Sequence, residues 1–265
     1  MTAEGSKPDA APLVQLRGVT KGFGAVQALT GVDLDIHTGQ VNALVGDNGA
    51  GKSTLVKTIS GLWEPDKGDI LWQDSPVHLH SPKAAEALGI TTIYQDLALC
   101  DNLDIVQNMF LGHEVLRHRT LDEASMEITA RDTLKELNVT TIRSIRQPVA
   151  SLSGGQRQSV AVAKAVMSKA QLVIMDEPTA ALGVAQTTMV LSLIKRLSGR
   201  GVTVLMISHN LPDVFEVADQ IAVLRLGRVV AAGPVAGFDS QVVVDYMTTG
   251  RSNRGSNGDH AGDQH

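Results

Sequence analysis

The spacing of apolar and polar positions changes three times along the chain. Over residues 13–36 short alternating segments, clearest in Val32, Leu34 and Ile36, are separated by Gly18, Gly22, Gly24 and Gly31. Alternation broken by glycine predicts a small antiparallel sheet. Mostly apolar runs then appear at 41–45, 90–94, 172–175 and 202–207, a pattern suited to strands buried on both faces of a parallel sheet. A turn at 65–68 leads to a further strand at 69–72, and residues 221–224 and 228–231 predict a hairpin around Leu226 and Gly227. Helical periodicity marks 55–60, closed by Gly61, and 82–88, stopped at Gly89. It also marks 159–169, 184–197 and a last stretch ending near Met247. Residues 97–148 have a different texture, helical and poor in β-branched runs, with an amphipathic segment at 121–138 that opens on Asp122 and Glu123. They read as a helical lobe inserted into an α/β domain. Residues 1–12 and 249–265 are polar and read as disordered tails, and His260 and His265 are too sparse for a metal site.

Composition narrows the class. At 265 residues the chain suits one large domain with an insertion. A net charge of −5 argues against a grip on nucleic acid. No apolar run reaches transmembrane length, and Met1 to Pro12 has no hydrophobic leader core. The single Cys100 forms no internal disulfide. These features lead us to expect a protein that stays inside the cell.

The candidate chemistry centres on residues 46–54, Gly-Asp-Asn-Gly-Ala-Gly-Lys-Ser-Thr, between an apolar run and a helical pattern. This matches G-x-x-x-x-G-K-[ST], a phosphate-binding loop. Glycines let the backbone approach an anion, and free N–H groups of the loop and following helix surround it. Lys52 suits the β- and γ-phosphates, and the Ser53 hydroxyl suits Mg²⁺. Asp176 and Glu177 close an apolar strand, where ligands of parallel sheets collect. Asp176 then suits the metal shell and Glu177 could take a proton from water; a solvated acidic turn is the plainer alternative. His209 closes another strand and could reach a γ-phosphate. Ser153, Gly154, Gly155 and Gln156 open a helix, either as an anion receptor or as a capping turn without a ligand. Phe23, on a glycine-rich turn, is either a stacking surface for a base or a core anchor.

The order of these motifs resembles the ATP-binding subunit of an ABC transporter, over residues 13–247. The resemblance implies a P-loop NTPase (RecA-like) core, an antiparallel β-subdomain, and a helical subdomain at about 97–158 within a domain of 13–248. It implies ATP and Mg²⁺ as ligands, with Phe23 stacking on adenine and Gly46, Asn48, Gly49, Ala50, Gly51, Lys52, Ser53 and Thr54 around the phosphates. Ser53, Gln95 and Asp176 would share the metal. Glu177 would be the base, assisted by His209, Lys52 and Gln95, and Ser153 to Gln156 would contact the nucleotide of a second copy. Gly183 stands where the family commonly has Asp, so no carboxylate links the two sites there. Residues 46–51, 80–82, 93–99 and 108–112 further resemble bacterial importers of ribose, xylose and fructose. That implies a homodimer on the cytoplasmic face of the inner membrane, bound to permease subunits and served indirectly by an extracytoplasmic sugar-binding protein. No nucleic-acid partner is expected. The alternative is a superfamily ATPase of DNA repair or the ribosome; no sustained heptads between Gln95 and Ser151 support the former.

Overall fold

The computed structural model describes residues 10–251. Strands β1 (Pro12–Phe23) and β2 (Val26–His37) form one long antiparallel ladder. The short segments expected from the sequence merge because Gly18 and Gly31 sit in register shifts with positive φ and do not end the strands. β3 (Val41–Val45) is buried throughout and leads through a loop into α1 (Lys52–Ile59). β4 (Lys67–Trp72) and β5 (Ser75–Val77) return to the first sheet, whose order is β2-β1-β4-β5. α2 (Pro82–Ala87), capped by the Ser81 side chain, precedes β6 (Ile90–Ile93).

The lobe that follows is less purely helical than expected. It holds α3 (Ile105–Phe110), a hairpin of β7 (Leu116–Arg117) and β8 (Thr120–Leu121), and α4 (Glu123–Glu136). His118 and Arg119 both take positive φ in the hairpin turn, a geometry usually announced by Asn-Gly, so the sequence carried no signal for it. The Arg146 guanidinium reaches Asp104 at 3.2 Å, Glu123 at 3.0 Å and Glu127 at 3.4 Å, tying the return chain to both helices. α5 (Gly154–Met167) packs against α3, α4 and the later α6, so residue 158 marks no seam between lobe and core.

β9 (Leu172–Asp176), α6 (Val184–Gly199), β10 (Thr203–Ile207), α7 (Leu211–Val217), β11 (Gln220–Arg225), β12 (Arg228–Pro234) and α8 (Ser240–Thr249) complete the described chain. The second sheet runs β12-β11-β3-β10-β9-β6, parallel except for the β12 edge. Leu172 and Ile174 of β9 face the core shared with the first sheet, whereas Val173 and Met175 face the helices. Burial on both faces is what an unbroken apolar run encodes. Register pairs Ile207 with both Leu44 and Asp176, bringing the carboxyl ends of β3, β10 and β9 to one edge.

Both tail boundaries move outward. The Ala11 carbonyl accepts from the Thr38 N–H and hydroxyl, so residues 10–12 belong to the first sheet. α8 runs to Thr249 and is closed by Gly250 at φ 78°. Residues 1–9 and 252–265, with His260 and His265, lie outside the described residues.

Candidate active site

The loop from β3 to α1 is shaped by close backbone approach. A Cβ on Gly51, whose φ is 108°, would meet the Ala28 carbonyl oxygen at 2.6 Å, and one on Gly46 would clash with that of Leu224. Only glycine fits at either position. α1 begins at Lys52, three residues before its apolar periodicity, with Gly51 as a cap that has no side chain to satisfy the first N–H groups. A helix start left open in this way receives anions. The loop is also held from outside. The β11–β12 turn passes beside it, where the Gly227 N–H donates to the Ala50 carbonyl and the Gly227 carbonyl accepts from the Thr30 N–H, each at 2.8 Å.

Lys52 is buried, and its Nζ donates to the carbonyls of Gly46 at 2.6 Å and Asp47 at 2.9 Å. Burial pulls its ammonium below the ordinary lysine value, against the attraction of Glu177, Asp176 and Asp47. Across the cleft, burial raises the Asp176 carboxyl above the usual aspartate value, and the Glu177 charge raises it further; Lys52 and Lys57 oppose both. Glu177 adopts φ 51°, a conformation that costs a non-glycine residue about 1–3 kcal/mol and persists only where its surroundings enforce it. Here the Glu177 N–H donates to the Ile207 carbonyl at 2.9 Å, and the His209 imidazole lies 2.8 Å from Glu177 Oε1 through Nδ1.

A cleft of about 350 Å³ gathers Asn48, Gly49, Gly51, Lys52, Ser53, Thr54, Gln95, Asp176 and Glu177. Gly46 and Ala50 are buried beneath the same loop. Val26, Gln27 and Ala28, which open β2, also line the cleft; sequence reasoning missed them because small apolar and amide side chains at a strand start carry no chemical signature. Phe23 is no core anchor. It is 42% exposed at the β1–β2 turn, opposite Val26, with its ring edge-on to Trp63 at 4.6 Å between centroids. It stands outside the lining of the phosphate cleft.

Ser153 and Gln156 cap α5 reciprocally, the Gln156 N–H donating to Ser153 Oγ at 3.4 Å and the Ser153 N–H to Gln156 Oε1 at 2.9 Å. The two glycines between them are packing positions: a Cβ on Gly154 would meet Leu182, and one on Gly155 would meet Met189, each at 2.8 Å. Among the described residues lining the cleft of this chain, none comes from 153–156. Gly183 precedes α6, its N–H donating to Gln186 Oε1 at 3.2 Å.

A family model described as "ABC transporter" matches residues 29–180. The fructose import ATP-binding protein of Rhizobium meliloti is 46% identical over 244 residues, spanning 89% of this chain and 94% of that protein. The xylose/arabinose import ATP-binding protein of Sulfolobus acidocaldarius is 45% identical, with the same shares of 89% and 94%. A ribose import ATP-binding protein of Rubrobacter xylanophilus is 42% identical over 91% of this chain, which spans only 48% of that longer relative. Among solved structures, the ADP conformation of an ATP-binding cassette of an ABC transporter superposes with a TM-score of 0.79 at 25% identity, covering 89% of this chain and 96% of that one. A dimeric cassette in a post-hydrolysis state, bound to ADP and phosphate, gives 0.70 at 25% identity over 85% and 100% of the two chains.

Proposed function

This chain belongs to the ABC transporter family, and from that premise we propose that it works as the ATP-hydrolysing subunit of a monosaccharide importer. The observation that carries the reading is the convergence of Lys52, Ser53, Gln95, Asp176 and Glu177, from separate strand ends, on one cleft. The fructose, xylose/arabinose and ribose import relatives support a sugar as the cargo. They leave the DNA-repair or ribosome-associated alternative without support.

In this mechanism the loop N–H groups and Lys52 hold the β- and γ-phosphates of ATP. Ser53, Gln95 and Asp176 fit a Mg²⁺ ion. Among the described residues no cluster of three or more His, Cys, Asp or Glu forms a protein-only cage, and Mg²⁺ sites of this kind use one or two carboxylates with phosphate oxygens and water. When bound, the ion supplies charge neutralisation at the phosphates. Glu177 accepts the proton of the attacking water. His209 holds that carboxylate through Nδ1, which leaves Nε2 for the γ-phosphate. Phe23, with Val26 beside it, offers the adenine an apolar face.

The Ser153–Gln156 helix start stands apart from the cleft of its own chain, which favours a head-to-tail homodimer in which it closes the partner's nucleotide. That a similar cassette bound to ADP and phosphate is dimeric supports the pairing. No helix of the described residues is long and apolar enough to cross a membrane. Coupling to transport therefore runs through membrane permease subunits, with this subunit peripheral on the cytoplasmic face and a sugar-binding protein acting indirectly from the far side. Replacing Glu177 tests the reading: Glu177→Gln is expected to keep nucleotide affinity while turnover falls by about 10²–10⁴-fold and ATP-bound dimers accumulate on size exclusion. Normal turnover in that variant would remove Glu177 from the role of base.

A further inference from the structure

Two loops meet behind the reacting edge of the sheet. One leaves β9 and carries Glu177; the other leaves β10, carries His209 and enters α7. Their exposed sides meet in the Glu177–His209 pair. Their buried sides meet in a second contact, where Thr179 Oγ1 donates to Asp213 Oδ2 at 2.7 Å. Both residues are nearly inaccessible, at 8% and 7% exposure. The turn around Thr179 is tightly closed, with the Ala180 N–H on the Glu177 carbonyl at 3.1 Å and the Leu182 N–H on the Thr179 carbonyl at 3.3 Å. It contains two non-glycine residues at positive φ, Glu177 at 51° and Ala181 at 59°. Thr179 lies between them and carries the buried polar anchor of the turn. Asp213 sits in the first turn of α7, and the loop before it is fixed by Asn210 N–H on Ser208 Oγ at 3.0 Å.

We propose that Thr179 and Asp213 are positioning residues of the hydrolytic site: their buried hydrogen bond holds the turn bearing Glu177 against the helix that follows His209, and so sets the Glu177–His209 pairing. The proposal rests on the reading of Glu177 as base. A backbone held at positive φ relaxes unless its surroundings enforce it, and the Thr179–Asp213 tie supplies that enforcement on the side away from substrate. Neither residue lines the phosphate cleft. Loss of the tie therefore acts on turnover and spares nucleotide binding.

The test measures kcat, KM for ATP and nucleotide Kd on the full chain. Thr179→Val keeps the shape of the side chain and removes the donor; kcat is expected to fall by about 10–100-fold, the scale of a small misplacement of a reacting group, with Kd within about twofold. Thr179→Ser, which keeps the hydroxyl, should restore most of the rate. Asp213→Ala should match Thr179→Val, the pair combined should be no worse than either alone, and Asp213→Asn, which retains an acceptor oxygen, should be mild. If Thr179→Val fails to fold, the contrast between the two Asp213 variants carries the same test. Adding Thr179→Val to Glu177→Gln should leave the residual rate unchanged, because the tie acts only through Glu177. Wild-type kcat in Thr179→Val, or an equal further loss in the Glu177→Gln background, would overturn the proposal. Normal turnover in Glu177→Gln alone would instead overturn the base assignment, and a dead Glu177→Gln beside an unimpaired Thr179→Val would remove the tie alone.

Discussion

Lys52 and Asp176 both carry charge into a partly desolvated cleft, and each is shifted toward its neutral form by burial. That cost has a pH signature. Below the ordinary aspartate value of 3.8 the Asp176 carboxyl is neutral whether the chain is folded or not, and its burial carries no charge penalty. As pH rises from there toward the raised folded value, the unfolded chain gives up its proton first, and stability falls until the group is ionised in both states. Lys52 runs the other way: its lowered value subtracts stability at neutral pH and returns it as pH climbs toward 10.5. Asp176→Asn is therefore expected to raise the nucleotide-free melting temperature at pH 8 and to lose that advantage toward pH 3.8. Glu177, the strongest of the three carboxylate attractions on Lys52, remains in the variant together with Asp47. Thermal melts across that range check it, and a variant less stable than the parent at pH 8 contradicts it. This is a site held against its own stability in favour of a ligand. The identities of Lys52 and Asp176 were legible because a glycine loop and a strand end announce them. That Lys52 rests on the Gly46 and Asp47 carbonyls was not, since the loop's path decides it.

Among the elements, the lobe between β6 and β9 was the hardest to read. α4 was visible from its amphipathic period and its acidic start, and the structure trims it to the stretch that Asp122 caps. The β7–β8 hairpin was invisible, because His118 and Arg119 adopt its turn without the residues that usually mark one. The Arg146 clamp was equally hidden: it joins positions 19, 23 and 42 residues apart, separations that no local periodicity records. A network of this kind, partly exposed, contributes on the order of 1–2 kcal/mol. Arg146→Met should accordingly speed amide exchange in α4 by about 5–30-fold while β3 and β10 keep their protection. A uniform change across the molecule, or none, would show that the lobe does not lean on this residue.

On the proposed reading, the molecule as a whole presents half of two sites. The apolar runs revealed a parallel sheet, but its strand order and the register that aligns β3, β9 and β10 emerge only from long-range pairing. The distance between Ser153 and its own cleft likewise belongs to the folded chain. If the copies pair head to tail, a Lys52→Ala chain and a Ser153→Arg chain, each inactive alone, should regain turnover when mixed, because each mixed dimer contains one site built wholly from intact parts. Failure of mixing to restore any activity, with mixed dimers verified by mass, argues against shared sites. The staple at Gly227 has a bearing on how such a machine cycles. With Ala50 fastened on one side and Thr30 on the other, the cradle is expected to keep its shape when a spent nucleotide leaves. An incoming ATP then finds its berth already cast, and little ordering entropy is spent on arrival. The stroke of the engine is left to bodies larger than a loop.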